Sequence, residues 1–246
     1  MKKLSIIIPV HNEAKTLDKI ITKVTILKLP NKISKEIIII NDGSSDNSLE
    51  IIKRYSKKNK EIKYINNQKN LGKSQTVKKG ILASSGDYII IQDADSEYNP
   101  NDISKLVAYA IKNNLDVVYG NRFGKKSKIV YLENYIGNRL LSFISNIFTY
   151  PRLKVWIPDM EVCYKLIEGT IARKIAKNIE SISSFGFEPE VTAKLSKYKD
   201  KNKRHLKFGV VYINYYPRTK KEGKHMKAFK DGFKALKEII ISNLFN

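Results

Sequence analysis

The chain has 246 residues, of which 42% are hydrophobic, and these values exclude global disorder and fit a large α/β domain with a full core. Its one cysteine, Cys163, excludes an intramolecular disulfide, and the absence of a secretory leader pattern at the start favours the reducing cytoplasm. The formal charge of +22, from 46 Lys and Arg against 24 Asp and Glu, indicates either compositional drift or an anionic partner.

Strand and helix patterns alternate through the first half of the chain. Runs rich in Ile predict buried strands, and apolar residues three and four positions apart predict helices. Alternation of this kind is typical of βαβ units around a parallel sheet. In chain order we predict a strand over 4–10, a helix over 17–27, a strand over 37–40, a helix over 49–55, a strand over 62–65, a short helix over 74–81, a strand over 88–92, a helix over 103–110 and a strand over 116–119.

The second half of the chain has a different pattern. Its first predicted element is an amphipathic helix over 131–150, without charge after Arg139 and ended by Pro151. The later elements are a strand over 161–166, a helix over 188–198, a β-rich stretch over 210–216 and a helix over 226–245. We predict one compact domain over 1–217, followed by a C-terminal basic loop and amphipathic helix over 218–246.

Polar side chains follow four of the predicted strands. They belong to His11-Asn12-Glu13, Asp42-Gly43, Asp93-Ala94-Asp95 and Gly120-Asn121-Arg122. Because ligands of open α/β sheets collect outside the carboxyl ends of the strands, these groups predict a nucleotide or sugar-phosphate pocket. The acidic cluster suits Mg²⁺ or Mn²⁺ carrying a phosphorylated substrate. An Asx-rich turn before the next helix is the alternative interpretation of the same residues.

Five short blocks in register carry a resemblance to a known family. The blocks are Ile8-Pro9-Val10-His11-Asn12-Glu13, Asn41-Asp42-Gly43-Ser44-Ser45-Asp46, Asn70-Leu71-Gly72-Lys73, Asp93-Ala94-Asp95 and Gly120-Asn121-Arg122-Phe123, with weaker matches at 158–165, 186–188, 217–219 and 223–224. The set resembles family 2 glycosyltransferases, and most of all their dolichol/polyprenyl-phosphate mannose synthase-like branch. The resemblance implies an α/β fold of the GT-A (Rossmann-like) type, with a mostly parallel sheet flanked by helices and a C-terminal amphipathic helix.

For the donor, the resemblance implies a nucleoside-diphosphate sugar such as GDP-mannose or UDP-glucose. The residues implied in binding it are Pro9, Val10, Asn12, Glu13, Asp42, Lys73, Asp93, Ala94, Arg218 and Lys224. Mg²⁺ or Mn²⁺ would be held on the diphosphate by Asp93, Asp95 and Glu97, although the branch often has Gln in place of Glu97. A turn cap is the alternative role of Asp42, and a first-turn acid favoured by the helix dipole is that of Glu13.

For the acceptor, the resemblance implies a polyprenyl or dolichyl phosphate. Arg122, assisted by Arg139, would contact the acceptor phosphate, since a guanidinium matches phosphate bidentately; an unpaired surface Arg is the alternative for each. The implied catalytic residues are Asp95, Arg122, Asp159 and Glu188. A hydroxyl acceptor on a glycan or glycolipid, as in cell-envelope polysaccharide synthesis, is the second interpretation, with Asp159 or Glu188 as the base.

The last predicted helix bears on the membrane. One face holds Met226, Phe229, Phe233, Leu236 and Ile240, and the other holds Lys227, Lys230, Lys234 and Lys237. Such a helix suits an anionic membrane interface, and docking on the core is the alternative. With a lipid acceptor we expect peripheral attachment to the cytosolic leaflet, which leaves room for a membrane-anchored partner subunit. A nucleic-acid-binding module is a remote third interpretation of the charge, and because it leaves the acidic cluster unexplained we expect no nucleic acid.

Overall fold

The computed structural model describes residues 2–124, 131–181, 186–219 and 228–245. Within these ranges seven strands form one sheet, accompanied by eight α-helices. The elements are β1 Lys3–Val10, α1 Ala14–Thr25, β2 Ser34–Asp42, α2 Ser48–Lys58, β3 Ile62–Asn67, α3 Lys73–Ala83, β4 Tyr88–Ile91, α4 Asn101–Asn113, β5 Val117–Asn121, α5 Leu132–Leu153, β6 Lys165–Glu168, α6 Gly169–Lys177, α7 Phe187–Lys197, β7 Phe208–Tyr212 and α8 Ala228–Leu244.

The strand order across the sheet is β3-β2-β1-β4-β6-β5-β7. The pairs β1–β2, β1–β4, β2–β3 and β5–β7 are parallel, whereas β6 pairs antiparallel with both β4 and β5. The prediction of a mostly parallel sheet is therefore confirmed. The reversed direction of β6 has a consequence for the site, because the residues that lead into β6 lie at the carboxyl ends of its neighbours.

Isoleucine fills the centre of the sheet. Ile7 of β1 pairs with Ile38 of β2 on one side and with Ile91 of β4 on the other, and all three are at most 3% exposed. β-branched residues pack well on a pleated surface, and a strand covered on both faces tolerates an unbroken apolar run. Each such side chain contributes about 1.5–3 kcal/mol through burial. This rigid central core fixes the positions of the polar strand ends.

Three predicted elements differ from the structure. Helix α5 continues through Pro151 to Leu153, because a proline in the last turn removes one backbone hydrogen bond and already has a helical φ. Strand β6 begins at Lys165 instead of residue 161, since the preceding backbone bonds to side chains: the Cys163 N–H donates to the hydroxyl of Tyr98 at 3.1 Å. Helix α6 was not predicted, and β7 begins and ends earlier than the β-rich stretch over 210–216.

Helix α8 packs on α5 and α7, with Ala235 and Ile239 buried against them. On the predicted apolar face, Phe233 is 70% exposed and Ile240 is 39% exposed, whereas Leu236 packs partly buried against the core. The membrane contact of this face stays a prediction. Met226 and Lys227 lie outside the described residues, and the domain division at residue 217 stays a prediction. Of the helices described, none has the length and apolar character to cross a membrane.

Candidate active site

A cavity of about 300 Å³ opens at the carboxyl ends of β1, β2 and β4. Parallel topology thus brings three of the four predicted polar strand ends to one place, together with the amino end of α3. The cavity is lined by Pro9, Val10, His11, Glu13, Asp42, Asn70, Gly72, Lys73, Thr76, Asp93, Ala94 and Asp95. Most residues predicted to bind the nucleotide sugar are in this set, and the sequence analysis missed Asn70 and Thr76 as lining residues.

The carboxylate of Asp42 organises one wall of the cavity. Its two oxygens accept hydrogen bonds from the backbone N–H groups of Leu71 and Gly72, at 2.9 and 3.0 Å. The neighbouring Gly43 has φ +63°, and a Cβ at this position would lie 2.5 Å from the carbonyl carbon of Lys69. The loop before α3 is therefore pressed against the end of β2, and only glycine permits this approach.

Asn12 was predicted to bind the donor, but it is not among the residues that line the cavity. It has a left-handed φ of 56°, and its Oδ1 accepts a hydrogen bond from the backbone N–H of Ser45 at 2.8 Å. Its own N–H donates to the Ser44 hydroxyl at 3.0 Å. Asn12 therefore ties the loop after β1 to the loop after β2, and its direct contact with the donor stays a prediction.

Arg218 bridges the acidic side chains at the ends of β1 and β4. Its Nη1 lies 3.2 Å from Oε1 of Glu13, and its Nη2 lies 3.1 Å from Oδ2 of Asp95. Glu97 is held beside it: the Tyr215 hydroxyl donates to Oε2 at 2.6 Å, and the backbone N–H of Arg218 donates to Oε1 at 2.8 Å. The predicted basic residue thus reaches the cavity acids directly.

The predicted three-carboxylate metal set is not assembled. Among the described residues, no group of three His, Cys, Asp or Glu side chains is arranged to hold a metal ion, and Glu97 is engaged by Tyr215 and Arg218. Asp93 and Asp95 remain in the lining. Burial, followed by the charges of Asp93 and Glu97, raises the pKa of Asp95 to about 7. This surplus of negative charge fits Mg²⁺ or Mn²⁺, which typically combine one or two carboxylates with substrate phosphates.

Lys73, the first residue of α3, connects the cavity to α7. Its Nζ lies 3.1 Å from Oδ1 of Asp93 and 2.9 Å from Oε1 of Glu188. Burial alone would lower the pKa of Lys73, but the charges of the two carboxylates hold it well above its usual value. Lys73 is therefore a permanent cation on the cavity wall, and Glu188 is ion-paired and buried.

Arg122 and Asp159 form a buried bidentate ion pair. Nε and Nη2 of Arg122 each lie 2.7 Å from an oxygen of Asp159, and the Arg122 backbone N–H donates to the same carboxylate at 3.0 Å. Burial would lower the pKa of Arg122, but the Asp159 charge raises it. Asp159 is fully buried with both oxygens engaged by Arg122, and its role as a general base stays a prediction. The contact of Arg122 with an acceptor phosphate stays a prediction.

Glu161, which is half-buried, and Lys165, which is buried, are ionisable residues that were not predicted as site residues. Burial, followed by the charge of Glu188, raises the pKa of Glu161 to about 8, while burial lowers the pKa of Lys165. Among the described residues, Oε1 of Glu161 is buried without a hydrogen-bond partner. The sequence signal that could have found them was the weak family match over 158–165. These residues reach the carboxyl edge of the sheet because β6, which follows them, runs antiparallel to its neighbours.

Arg139 lies apart from the cavity lining. Arg139 is on the exposed side of α5, where its Nη1 donates to the carbonyl oxygen of Pro158 at 3.3 Å and its guanidinium lies 5.5 Å from the Phe123 ring centre. Arg139 is therefore close in space to the Arg122–Asp159 pair, since Pro158 precedes Asp159 and Arg122 also lies over the Phe123 ring. Lys224 lies outside the described residues.

A mostly parallel sheet with acids and a lysine around a cavity at its carboxyl edge is suited to binding a phosphorylated nucleotide ligand. Residues 5–175 match the sequence profile of the family described as Glycosyl transferase family 2. This match covers more than half of the chain, which therefore belongs to glycosyl transferase family 2 and is a glycosyltransferase. The family and the enzyme class predicted from the five blocks are confirmed.

Two relatives are similar over different shares of the chain. A dolichyl-phosphate β-glucosyltransferase of Dictyostelium discoideum is 28% identical over an alignment of 250 positions, gaps included, which covers 96% of this chain and 72% of that protein. A dolichol-phosphate mannosyltransferase of Pyrococcus furiosus is 33% identical over 127 residues, which cover 52% of this chain and 35% of that protein. The second likeness therefore spans about a third of the relative's length.

A solved structure of glucosyl-3-phosphoglycerate synthase from Mycobacterium tuberculosis has a similar fold, with a TM-score of 0.70 and 13% identity. The likeness covers 98% of this chain and 80% of that chain, and that enzyme was crystallised with Mn²⁺, uridine-diphosphate and glucosyl-3-phosphoglycerate. At this identity the likeness establishes the fold alone. The predicted GT-A fold is confirmed.

Proposed function

We propose that this enzyme transfers a hexose, mannose or glucose, from a nucleoside-diphosphate sugar to a polyprenyl or dolichyl phosphate, with inversion at the anomeric carbon. The observation that carries the proposal is the joint presence of Asp93, Asp95 and Lys73 around one cavity at the carboxyl edge. Relatives named as dolichyl-phosphate glucosyl- and mannosyltransferases support the choice of acceptor.

The donor site follows from the charges around the cavity. Asp93 and Asp95 would hold Mg²⁺ or Mn²⁺, and the bound ion would neutralise charge on the departing nucleoside diphosphate. Lys73 is a fixed cation on the same wall, and Arg218 lies within 3.1 Å of Asp95. A donor diphosphate would attract Arg218 away from Glu13, so this side chain is placed to exchange a carboxylate partner for a phosphate.

The acceptor is inferred from the state of the acidic residues. A lipid phosphate is already anionic, so its attack on the sugar needs positioning more than proton removal. Asp159 is fully engaged by Arg122, and Glu188 is ion-paired with Lys73. An acceptor that needs no base therefore suits this site.

The second candidate keeps the donor and uses a hydroxyl acceptor on a glycan or glycolipid, as in cell-envelope polysaccharide synthesis. It is favoured by Glu161, which has an oxygen without a hydrogen-bond partner among the described residues and which could accept a proton once ionised, at a pH above its raised pKa of about 8. Asp159 and Glu188 are the bases that the sequence predicts for this reaction.

We also propose peripheral attachment to the cytosolic face of a membrane. The net charge of +22 supports attraction to anionic lipids, and a polyprenyl acceptor would be drawn from a bilayer. A membrane-anchored partner subunit is compatible with this location.

A transfer assay tests the reaction. Labelled GDP-mannose and UDP-glucose are each incubated with the enzyme, with and without polyprenyl phosphate and Mn²⁺. We expect a lipid-linked product from one donor, which requires the metal and is lost in Asp95→Ala. The matched control is Glu50→Ala, which removes an acid that is 72% exposed on α2. Transfer to a glycan hydroxyl without any lipid-linked product would reject the proposed acceptor, and full activity of Asp95→Ala would reject the metal site.

A further inference from the structure

Helix α5 is amphipathic with its apolar face directed outwards. Its outward side chains lie three or four positions apart along the whole helix, and each is 46–60% exposed. They are Leu132, Ile136, Leu140, Phe143, Ile147 and Tyr150. We call these six residues the α5 stripe. The buried side chains on the opposite face are mostly small or polar, namely Leu141, Ser142, Ser145, Asn146, Thr149 and Leu153.

Hydrogen bonds fix this orientation of α5. The Asn146 side chain donates to the carbonyl oxygen of Ile157 at 2.7 Å and accepts from the Ile157 N–H at 2.9 Å. The Ser142 hydroxyl accepts from the backbone N–H of Met160 at 2.9 Å. Rotation of the helix to bury its apolar face would leave these buried polar groups unpaired, which is unfavourable because they would lose both protein and water partners. The outward stripe is therefore a built feature of the fold, and contiguous exposed apolar surface of this kind marks an interaction site.

We infer that the α5 stripe is a docking surface for an anionic lipid bilayer, with the helix lying in the plane of the interface. The choice of a lipid partner rests on the proposed function, because a polyprenyl phosphate acceptor is held in a bilayer. Helix α5 has 22 residues and is about 33 Å long at 1.5 Å per residue. Its polar inner face suits an interfacial position and not a spanning one.

Charge distinguishes a bilayer from a second copy of the chain as the occupant. The sequence from 134 to 151 contains one charged residue, Arg139, and no acid, while the chain as a whole carries +22. Two copies packed stripe to stripe would bring like charges together, whereas anionic lipid complements them. Exposed Lys154 and Arg139 border the stripe and would face lipid phosphates.

Aromatic rings at the end of the stripe agree with an interfacial position. Trp156 is 47% exposed, and its ring centre lies 6.0 Å from that of Phe143 and 6.2 Å from that of Tyr150. Trp and Tyr are the residues enriched where hydrocarbon meets water, since one end of each is apolar and the other polar.

The stripe also lies beside the candidate active site. Arg139, next in sequence to Leu140, donates to the carbonyl oxygen of Pro158, and Asp159 follows directly. A bilayer seated on the stripe would therefore present lipid phosphates next to the Arg122–Asp159 pair. Docking and acceptor delivery would use one surface.

Vesicle co-sedimentation tests the inference without donor or acceptor. The vesicles contain equal parts of phosphatidylglycerol and phosphatidylcholine at low salt. The test variant is Phe143→Ser with Ile147→Ser, and the matched control is Ile26→Ser with Leu82→Ser, exposed apolar residues at the ends of α1 and α3. We expect the stripe variant to bind at least about tenfold more weakly, the loss that about 1.4 kcal/mol of apolar contact produces. The control variant should bind like the unmodified chain.

Two results would overturn the inference. One is vesicle binding that does not depend on the stripe, either because the stripe variant binds as well as the unmodified chain or because neither binds. The other is a stable dimer in sedimentation velocity that the stripe variant converts to a monomer, which would make a second copy the occupant. Equal melting temperatures show that the stripe variant is folded. Stripe-dependent vesicle binding by an enzyme that forms no lipid-linked product would reject the proposed function and leave the docking surface in place.

Discussion

Arg122 is 8% exposed and Asp159 is 0% exposed, so each buried charge is compensated mainly by the other. Removing one partner of a buried pair leaves an uncompensated charge and costs about 3–5 kcal/mol. We expect Asp159→Asn to lower the free energy of unfolding by about this amount in urea denaturation. The double variant Arg122→Met, Asp159→Leu should recover most of the loss, because apolar replacement of a buried pair is often neutral.

The control for this pair is Asp18→Asn, which breaks an ion pair with Arg54 whose two side chains are about half exposed. Exposed pairs contribute roughly 0–1 kcal/mol, so the unfolding free energy should change little. A small effect of Asp159→Asn, comparable to this control, would contradict a buried, tightly coupled pair. Transfer activity that survives in the double variant would remove Arg122 from acceptor binding.

Glu161 makes stability depend on pH in the neutral range. Its pKa is about 8 in the folded chain and about 4.5 for an ordinary Glu, so the folded state binds more protons between these values. The contribution of Glu161 to the free energy of unfolding is therefore fully present below about pH 4.5, and it is lost as the pH rises towards 8. At about 1.4 kcal/mol per pKa unit, the loss is on the order of 3–5 kcal/mol.

We expect Glu161→Gln to remove this dependence, since a neutral amide resembles the protonated carboxyl. The measurement is the thermal midpoint from pH 6 to 9, where the variant should become more stable than the unmodified chain at the alkaline end. Glu133→Gln, which removes an exposed acid on α5, serves as the control and should leave the profile unchanged. Parallel profiles of Glu161→Gln and the unmodified chain would contradict the prediction. Loss of transfer to a hydroxyl acceptor alone would identify Glu161 as its base.

At the scale of secondary structure, periodicity predicted the central sheet because each Ile-rich strand carries its own evidence of burial. It also predicted α5 as amphipathic, since spacing of apolar residues does not depend on which side faces the core. It could not predict that Ser142 and Asn146 face inwards, because that depends on partners from 157–160. The reversed β6 and the contact of Arg218 with Asp95 likewise depend on residues distant in sequence.

The loop between β3 and α3 offers a test of how an element positions the site. Gly43 has a left-handed φ, and a side chain there would meet the backbone of Lys69 and Asn70 at 2.5–2.6 Å. We expect Gly43→Ala to lower the unfolding free energy by about 1–3 kcal/mol through strain and to displace the loop that Asp42 holds. Affinity for the nucleoside diphosphate should fall as well, measured by calorimetric titration.

Gly137→Ala is the matched control, since a Cβ at this position on α5 meets no described atom within 4 Å. It should leave nucleotide affinity unchanged and favour the helix slightly, because alanine is the better helix former. Unchanged affinity in Gly43→Ala would show that the loop before α3 does not shape the donor site.

At the scale of the whole molecule, an excess of 22 positive charges surrounds a cavity in which acids are concentrated. The positive field attracts an anionic nucleotide sugar, and steering of this kind weakens as salt rises. Within the cavity, Asp93 and Asp95 repel a diphosphate unless a cation lies between them. The global charge therefore favours donor encounter, whereas the local charge makes donor binding depend on the metal.

This division predicts a coupled effect of nucleotide and metal on thermal stability. A ligand at a hundred times its Kd stabilises the folded state by about 2.7 kcal/mol. At roughly 2–4 °C per kcal/mol for a chain of this size, we expect the Tm to rise by about 5–10 °C with Mn²⁺ and the correct nucleoside diphosphate. EDTA should abolish most of the rise, and Asp93→Asn with Asp95→Asn should abolish its metal-dependent part. Comparison of GDP with UDP identifies the donor base. An equal rise in Tm without Mn²⁺ would contradict this prediction, because the diphosphate would then bind beside the two carboxylates without a cation between them.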